Sequence, residues 1–166
     1  MPVYLMRHAE AVPEAMSLAD ESRYLSDSGR AAALAMGEAS GRLGIAIAAV
    51  VSSPLVRAVQ TAELVALGLA SVSPSQGTPG SRSVRIHESL APGRGTRRIF
   101  ADLAELEGAL LVGHEPSLSA LAGQLTSEPR FAAFEKAQLV ALEGGGATWT
   151  LLPGDREPRR YGRLNR

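Results

Sequence analysis

Short runs of apolar residues recur along the chain and stop abruptly at polar or charged residues, which is typical of strands buried in a sheet. Three such runs cover residues 3–6, 45–51 and 109–112, and a brief strand is also predicted at 84–86, where Arg85 separates two apolar residues. The first run is followed directly by Arg7 and His8, and the last by Gly113 and His114. We therefore predict strands that carry two of the histidines at or near their carboxyl ends.

Apolar residues at helical spacing lie between these predicted strands. The helices that this spacing predicts cover residues 31–43, 54–65, 99–106 and 118–125. Ser26 is placed to cap the first helix, Gly44 to end it, and Pro54 to occupy the first turn of the second. Helices thus alternate with strands over most of the chain.

Two segments depart from this alternation. Residues 71–83 are rich in serine, proline and glycine and lack apolar periodicity, so we predict a surface loop. Residues 138–142 and 147–152 flank the glycines at 144–146, which predicts a terminal hairpin.

The order of the elements predicts the fold class and the place of a ligand site. Strands that alternate with helices indicate an α/β fold: a three-layer α/β/α sandwich with a mostly parallel central sheet, in one domain over residues 1–166. Such sheets bind ligands beyond the carboxyl ends of their strands. This rule points to His8, Arg57 and His114.

The charge balance argues against several partners. The 166 residues include 17 basic and 17 acidic side chains, so no net field favours nucleic acid or an anionic membrane. The arginines of the tail are expected to be solvated; they are Arg156, Arg159, Arg160, Arg163 and Arg166. No apolar run has the length of a membrane span, and residues 1–6 are too short for a secretory leader. We expect a cytoplasmic protein.

Several chemistries are excluded by residue type. The chain has no cysteine, which removes thiol nucleophiles, disulfides and thiolate metal sites. Its three histidines lie far apart without a His-Glu-x-x-His pattern, and the glycines at 144–146 lack the Lys-Ser or Lys-Thr of a phosphate-binding loop. We expect neither a metal nor a cofactor.

The residues at the predicted strand ends suit phosphoryl transfer. A phosphoryl group in transfer spreads negative charge over three oxygens, so it needs fixed donors and a nucleophile in line with the leaving group. Arg7 and Arg57 can donate paired hydrogen bonds to phosphate, and His8 and His114 can divide attack and oxyanion stabilisation between them. Spacing alone leaves the two histidines interchangeable.

Four segments carry a resemblance to a known family. They are Arg-His-Ala-Glu-Ala at 7–11, Leu-Ser-Asp-Ser-Gly at 25–29, Ser-Pro-Leu-Val-Arg-Ala-Val-Gln-Thr at 53–61 and Gly-His-Glu-Pro-Ser at 113–117. With these segments the chain resembles the histidine phosphatase superfamily, which has the phosphoglycerate mutase-like fold, and within it the SixA-type phosphohistidine phosphatases. The resemblance implies that His8 is the nucleophile and that Arg7, Arg57 and His114 complete the phosphate pocket.

The same resemblance implies a substrate. SixA-type enzymes dephosphorylate phosphohistidine, so a histidine phosphotransfer (HPt-like) domain of a phosphorelay is the expected partner of this chain, which we expect to be a monomer. A small phosphoester or a phosphoserine or phosphothreonine protein is the alternative substrate. A phosphate-binding module without turnover is the alternative of another class.

The general acid is the open position of the site. Relatives that use an acid near a Leu-x-Pro turn carry it at the position of Ser89, whereas this chain has Glu88 next to it, which makes Glu88 the candidate. Glu10 and Glu115 flank the two histidines and either orient an imidazole or are solvated carboxylates. His87 has no motif partner and is assigned a structural role.

Overall fold

Seven strands form one mixed sheet in the computed structural model, which describes residues 2–14, 18–72, 83–94 and 107–162. The strands are β1 (Val3–Arg7), β2 (Ala49–Ser52), β3 (Val84–Ile86), β4 (Ala109–Gly113), β5 (Leu139–Glu143), β6 (Gly146–Leu151) and β7 (Arg159–Arg160). Their order across the sheet is β3-β2-β4-β1-β5-β6-β7. The first four strands run parallel, and β5 to β7 extend the sheet in antiparallel pairs.

Helices cover both faces of this sheet. They are α1 (Asp27–Arg42), α2 (Val56–Val72) and α3 (Ser117–Thr126), with short 3-10 turns at Asp20–Ser22 and Glu88–Leu90. Alternate residues of β1 face opposite ways: Tyr4 and Met6 pack in the core with α1 and α2, and Leu5 packs in a second core with α3. The predicted three-layer α/β/α sandwich is therefore confirmed.

The start of α1 is held against the loop that follows β1. Ser26 caps α1 as predicted, because its hydroxyl accepts a hydrogen bond from the Gly29 amide at 3.1 Å. A Cβ at Gly29 would overlap the backbone carbonyl of Glu10. Glycine at this position thus lets α1 approach the chain two residues after His8.

Two predicted elements begin later than their composition indicates. The strand predicted at 45–51 begins at Ala49, because its partner β4 begins only at Ala109, and the Ala48 amide instead bonds the Gly108 carbonyl. The helix predicted from Pro54 begins at Val56. The Ser53 hydroxyl accepts a bond from the Leu55 amide in a local turn, so Pro54 precedes the helix.

Parts of the predicted loop and of the tail form regular structure. Ser71 and Val72 belong to α2 and not to the loop predicted at 71–83, and residues 73–82 lie outside the described residues. The helix predicted at 99–106 also lies outside them. In the tail, Arg159 and Arg160 form β7 and pair with β6 while their side chains stay exposed. None of the helices in the described ranges is long and apolar enough to cross a membrane.

Candidate active site

Two buried histidines meet where neighbouring parallel strands end. His8 follows β1 and His114 follows β4, and the His8 amide donates to the Gly113 carbonyl at 3.0 Å. Their ring centroids lie 5.0 Å apart. The two histidines thus lie together at the carboxyl ends of the strands, which is where sheets of this kind bind ligands.

Hydrogen bonds define the tautomer of His8. Its Nδ1 lies 2.7 Å from the Ala9 carbonyl oxygen, which can only accept, so Nδ1 carries the proton. Its Nε2 is therefore unprotonated, and its electron pair accepts a hydrogen bond from Arg57 Nε at 3.3 Å. Burial, together with the charges of Arg57 and Arg7, lowers the pKa of His8 to about 4 despite the opposing Ala9 bond. The imidazole is thus neutral near pH 7.

The position of His8 is fixed from α2. Thr61 Oγ1 accepts from the Ala9 amide at 3.1 Å and donates to the Arg57 carbonyl at 2.7 Å. One buried hydroxyl thus connects the backbone beside His8 to the helix that carries Arg57.

Arg57 is a buried residue at the start of α2 and not an exposed helical arginine. Its Nη1 donates to the Asp20 carbonyl, and its Nη2 donates to Asp20 Oδ2 at 2.9 Å. Asp20 also pairs with Arg23 through Oδ1 at 2.9 Å. The guanidinium therefore bonds both His8 and the half-exposed carboxylate of Asp20.

Arg7 and His114 each present a buried nitrogen that has no partner among the described residues. Arg7 Nη1 donates to the Phe134 carbonyl at 2.8 Å, while its Nε is unpaired. His114 Nε2 contacts Ser53 Oγ at 2.8 Å, while its Nδ1 is unpaired. Buried polar atoms are nearly always bonded, so two such atoms around His8 indicate a place for a ligand. The structure thus brings together His8, Arg57 and His114, with Arg7 close enough for its charge to act on both imidazoles.

His114 is also neutral near pH 7. Burial lowers its pKa to about 3, with the charges of His8 and Arg57 acting in the same direction. A neutral imidazole can donate through one nitrogen only, so the partner of its other nitrogen decides its role.

The carboxylates beside the histidines do not orient an imidazole. Glu10 accepts from Ser26, Ser28 and Lys136 at the surface. Glu115 accepts from the Phe134 amide at 3.2 Å and from Ser119. Glu115 therefore steadies the residue whose carbonyl holds Arg7, a connection that the sequence did not indicate.

Glu88 and Ser89 are neighbours in the sequence but differ in their exposure to solvent. Glu88 is exposed on its 3-10 turn, whereas Ser89 is buried and lines a small cavity beside His114. Glu88 is not among the residues lining that cavity. His87 Nδ1 accepts from the Ser89 amide at 3.2 Å, which is the kind of structural role predicted for it.

Asp20 is the site residue that the sequence reasoning missed. It lies in a polar segment without periodicity, and only its i, i+3 spacing to Arg23 offered a signal. Burial alone would raise the pKa of Asp20, but hydrogen bonds from Arg57 and Arg23 outweigh it and lower the pKa. Asp20 is therefore ionised at neutral pH.

Other parts of the described chain do not form a competing site. No group of three or more His, Asp or Glu side chains is gathered there for a metal ion. A separate open depression of about 630 Å³ is lined by Glu128, Thr148, Arg160 and Tyr161, among others, and contains none of the candidate residues.

The arrangement is suited to phosphoryl transfer. A neutral imidazole presents an electron pair, and guanidinium and imidazole N–H groups surround it in a buried setting where electrostatic interactions are strong. Such a group can accept a phosphoryl group while the surrounding donors hold its oxygens.

Comparison with known proteins agrees with this chemistry. The family model of the histidine phosphatase superfamily (branch 1) matches residues 3–79. No curated protein sequence matches the chain.

Solved structures extend the likeness to nearly the whole chain. The protein histidine phosphatase SixA complexed with tungstate is 25% identical, with a TM-score of 0.76 over 92% of this chain and 97% of that chain. A SixA-type protein from Nakamurella multipartitia is also 25% identical, with a TM-score of 0.63 over 89% and 87%. A mycobacterial glucosyl-3-phosphoglycerate phosphatase in complex with VO3 shares the fold at 18% identity and a TM-score of 0.62, over 86% and 90%. The predicted phosphoglycerate mutase-like fold is confirmed.

Proposed function

We propose that this phosphatase, a member of the histidine phosphatase superfamily, carries the phosphoryl group on His8 and acts on phosphohistidine in a phosphorelay protein. The observation that carries the proposal is a neutral His8, which has its proton on Nδ1 and its electron pair on Nε2, together with buried nitrogens of Arg7 and His114 that have no partner among the described residues. A nucleophile beside buried nitrogens that lack partners fits a phosphoryl group in transfer.

The reaction has two displacements at phosphorus. In the first, His8 Nε2 forms a bond to phosphorus as the bond to the substrate nitrogen breaks, and the leaving imidazole keeps the electron pair and takes up a proton from solvent. In the second, water attacks the phosphohistidine on His8 and loses a proton to solvent, which releases inorganic phosphate and restores the neutral imidazole. Splitting the transfer in this way replaces one difficult step with two easier ones.

The surrounding donors stabilise the charge that spreads over the phosphoryl oxygens. Arg57 Nε now bonds the electron pair of His8, so substrate must turn this guanidinium towards phosphate oxygen to free the nucleophile. Arg7 Nε and His114 Nδ1 have no partner within the described part of the chain, so they can bind phosphoryl oxygens without losing a bond there. Donors fixed before the reaction need little reorganisation as charge develops, which makes them effective.

The choice of phosphohistidine follows from the leaving group. An imidazole departs more easily than an alkoxide, so it needs less of the roughly 10²- to 10⁴-fold help that a general acid supplies. Ser89, and not an acid, is buried beside His114, and Glu88 is exposed. Asp20 is ionised and bonded to Arg57, which makes it a poor proton donor. A site built this way favours a substrate whose leaving group needs little protonation, as the likeness to SixA also does.

A substrate comparison tests the proposal. We expect the wild type to hydrolyse phosphohistidine on a histidine phosphotransfer domain much faster than p-nitrophenyl phosphate, and His8→Ala to lose both activities. Faster hydrolysis of p-nitrophenyl phosphate or of phosphoserine peptides would reject the substrate and keep the nucleophile. Binding of phosphorylated protein without turnover by the wild type would indicate a phosphate-binding module.

A further inference from the structure

Ser53 is fully buried, and its hydroxyl contacts His114. It lies between β2 and α2, and its amide donates to the Val112 carbonyl at 2.9 Å, which holds it beside the end of β4. Its Oγ lies 2.8 Å from His114 Nε2. The Leu55 amide also donates to this Oγ, at 3.4 Å.

The hydrogens around Ser53 can be assigned by counting donors. A serine hydroxyl has one hydrogen and two electron pairs, and the Leu55 amide uses one of the pairs. If His114 Nε2 carried a proton, Oγ would accept twice and its own hydrogen would need another acceptor. Within the described residues, His114 Nε2 is the acceptor that the hydroxyl reaches. The arrangement is complete when Ser53 donates to Nε2 and the proton of His114 lies on Nδ1.

We propose that Ser53 is a positioning residue that holds His114 in the Nδ1–H form, so that His114 donates from Nδ1 to a phosphoryl oxygen. The part played by the oxygen rests on the proposed function, whereas the tautomer is a property of the protein alone. Nδ1 of His114 is buried and has no partner in the ranges that the structure describes, which fits a donor whose acceptor is a ligand oxygen.

The same reasoning separates the roles of the two histidines. Both histidines carry the proton on Nδ1, but the protein group that bonds each ring contacts a different nitrogen: Nδ1 in His8 and Nε2 in His114. The Ala9 carbonyl accepts from Nδ1 of His8 and leaves Nε2 as the nucleophile. Ser53 donates to Nε2 of His114 and leaves the Nδ1 N–H as the donor. Residue spacing could not distinguish the two histidines, but a carbonyl that bonds one ring and a hydroxyl that bonds the other give them different roles.

Nitrogen NMR of histidine-labelled protein measures the tautomer directly. At pH 7 we expect His114 to show a protonated Nδ1 and an unprotonated Nε2, with signals assigned by comparison with His87→Gln and His114→Gln. In Ser53→Ala we expect the Nε2–H form to become populated. A wild-type His114 protonated on Nε2, or an unchanged tautomer in Ser53→Ala, overturns the proposal.

Kinetics supply the second readout. Because the donor acts most strongly on the charge of the transition state, Ser53→Ala is expected to lower kcat by about 10- to 100-fold with little change in KM. Ser52→Ala is the matched control, since Ser52 is an equally buried serine whose hydroxyl bonds the Ser53 carbonyl and not His114. An unchanged kcat in Ser53→Ala, or an equal loss in Ser52→Ala, contradicts the kinetic role.

The NMR and kinetic measurements distinguish failure of this proposal from failure of the proposed function. If no substrate is turned over, the proposed function fails while the wild-type NMR spectrum still decides the tautomer. If Ser53→Ala does not fold, the wild-type spectrum again decides it.

Discussion

Asp20 holds the guanidinium of Arg57, which is proposed to bind phosphoryl oxygens. Its carboxylate accepts one hydrogen of Nη2 and its carbonyl one hydrogen of Nη1, so an incoming phosphoryl group competes with the carboxylate for this guanidinium. Because Asp20 is ionised, it also repels any anion that approaches the same arginine. Asp20→Asn keeps the shape and an acceptor oxygen but removes the charge. We therefore expect the variant to bind oxyanions more tightly than the wild type.

The exposures of the two partners set the size of this effect. The Arg57 side chain is 6% exposed, but that of Asp20 is 46% exposed, so water screens the pair. Such a pair contributes about 1 kcal/mol or less, and 1.4 kcal/mol is a factor of about ten in affinity. We expect the Kd for tungstate to fall by about two- to fivefold at pH 7.

Isothermal titration calorimetry with tungstate measures the change. The matched control is Asp155→Asn, which removes a carboxylate that pairs with Arg159 on the β6–β7 side of the sheet. We expect the control to bind tungstate like the wild type. Unchanged or weaker binding by Asp20→Asn would refute the reasoning, because it would show that the carboxylate does not compete for Arg57.

Two further changes test the polar network. Glu115→Gln weakens the bond to the Phe134 amide, and the Phe134 carbonyl holds Arg7. We therefore expect the KM for phosphohistidine to rise about threefold in steady-state assays. An unchanged KM would show that Glu115 does not act on the site. Because the pKa of His8 is about 4 in the fold and 6.5 in the unfolded chain, the unfolded chain binds more protons between these values. The free energy of unfolding should therefore fall as the pH drops below about 6.5, and His8 should account for a loss of about 2 kcal/mol between pH 7 and 4.5. Urea unfolding at the two pH values measures this loss, and we expect the His8 part of it to be absent in His8→Asn. An equal loss in both proteins would contradict the burial of a neutral His8.

The site could be predicted where sheet geometry alone decides the positions. Residues that follow parallel strands meet at one edge whatever the details of packing, so His8 and His114 were brought together by the strand pattern itself. Arg57 was predicted because it starts the helix after the neighbouring strand. Its burial, however, depends on Asp20, which lies in a segment with no period from which to place it.

The boundaries of elements could not be predicted, since they depend on partners distant in sequence. Residues 45–48 have the composition of a strand, yet β2 starts at Ala49 because β4 starts at Ala109. In the same way, Arg159 and Arg160 are exposed and charged, and only their pairing with β6 makes them a strand. Spacing also left the roles of the two histidines open, and only the family resemblance distinguished them. The bonds that Ala9 and Ser53 make to the two rings cannot be read from residue spacing.

Mapping the phosphorylated intermediate tests whether His8 carries the phosphoryl group. The enzyme is mixed with a phosphorylated histidine phosphotransfer domain, quenched in alkali, where phosphohistidine survives, and analysed by peptide mass spectrometry. We expect phosphate on His8 in the wild type and in Asp20→Asn, and none in His8→Ala. Phosphate on His114, or rapid turnover by His8→Ala, would contradict the assignment of His8 as the nucleophile.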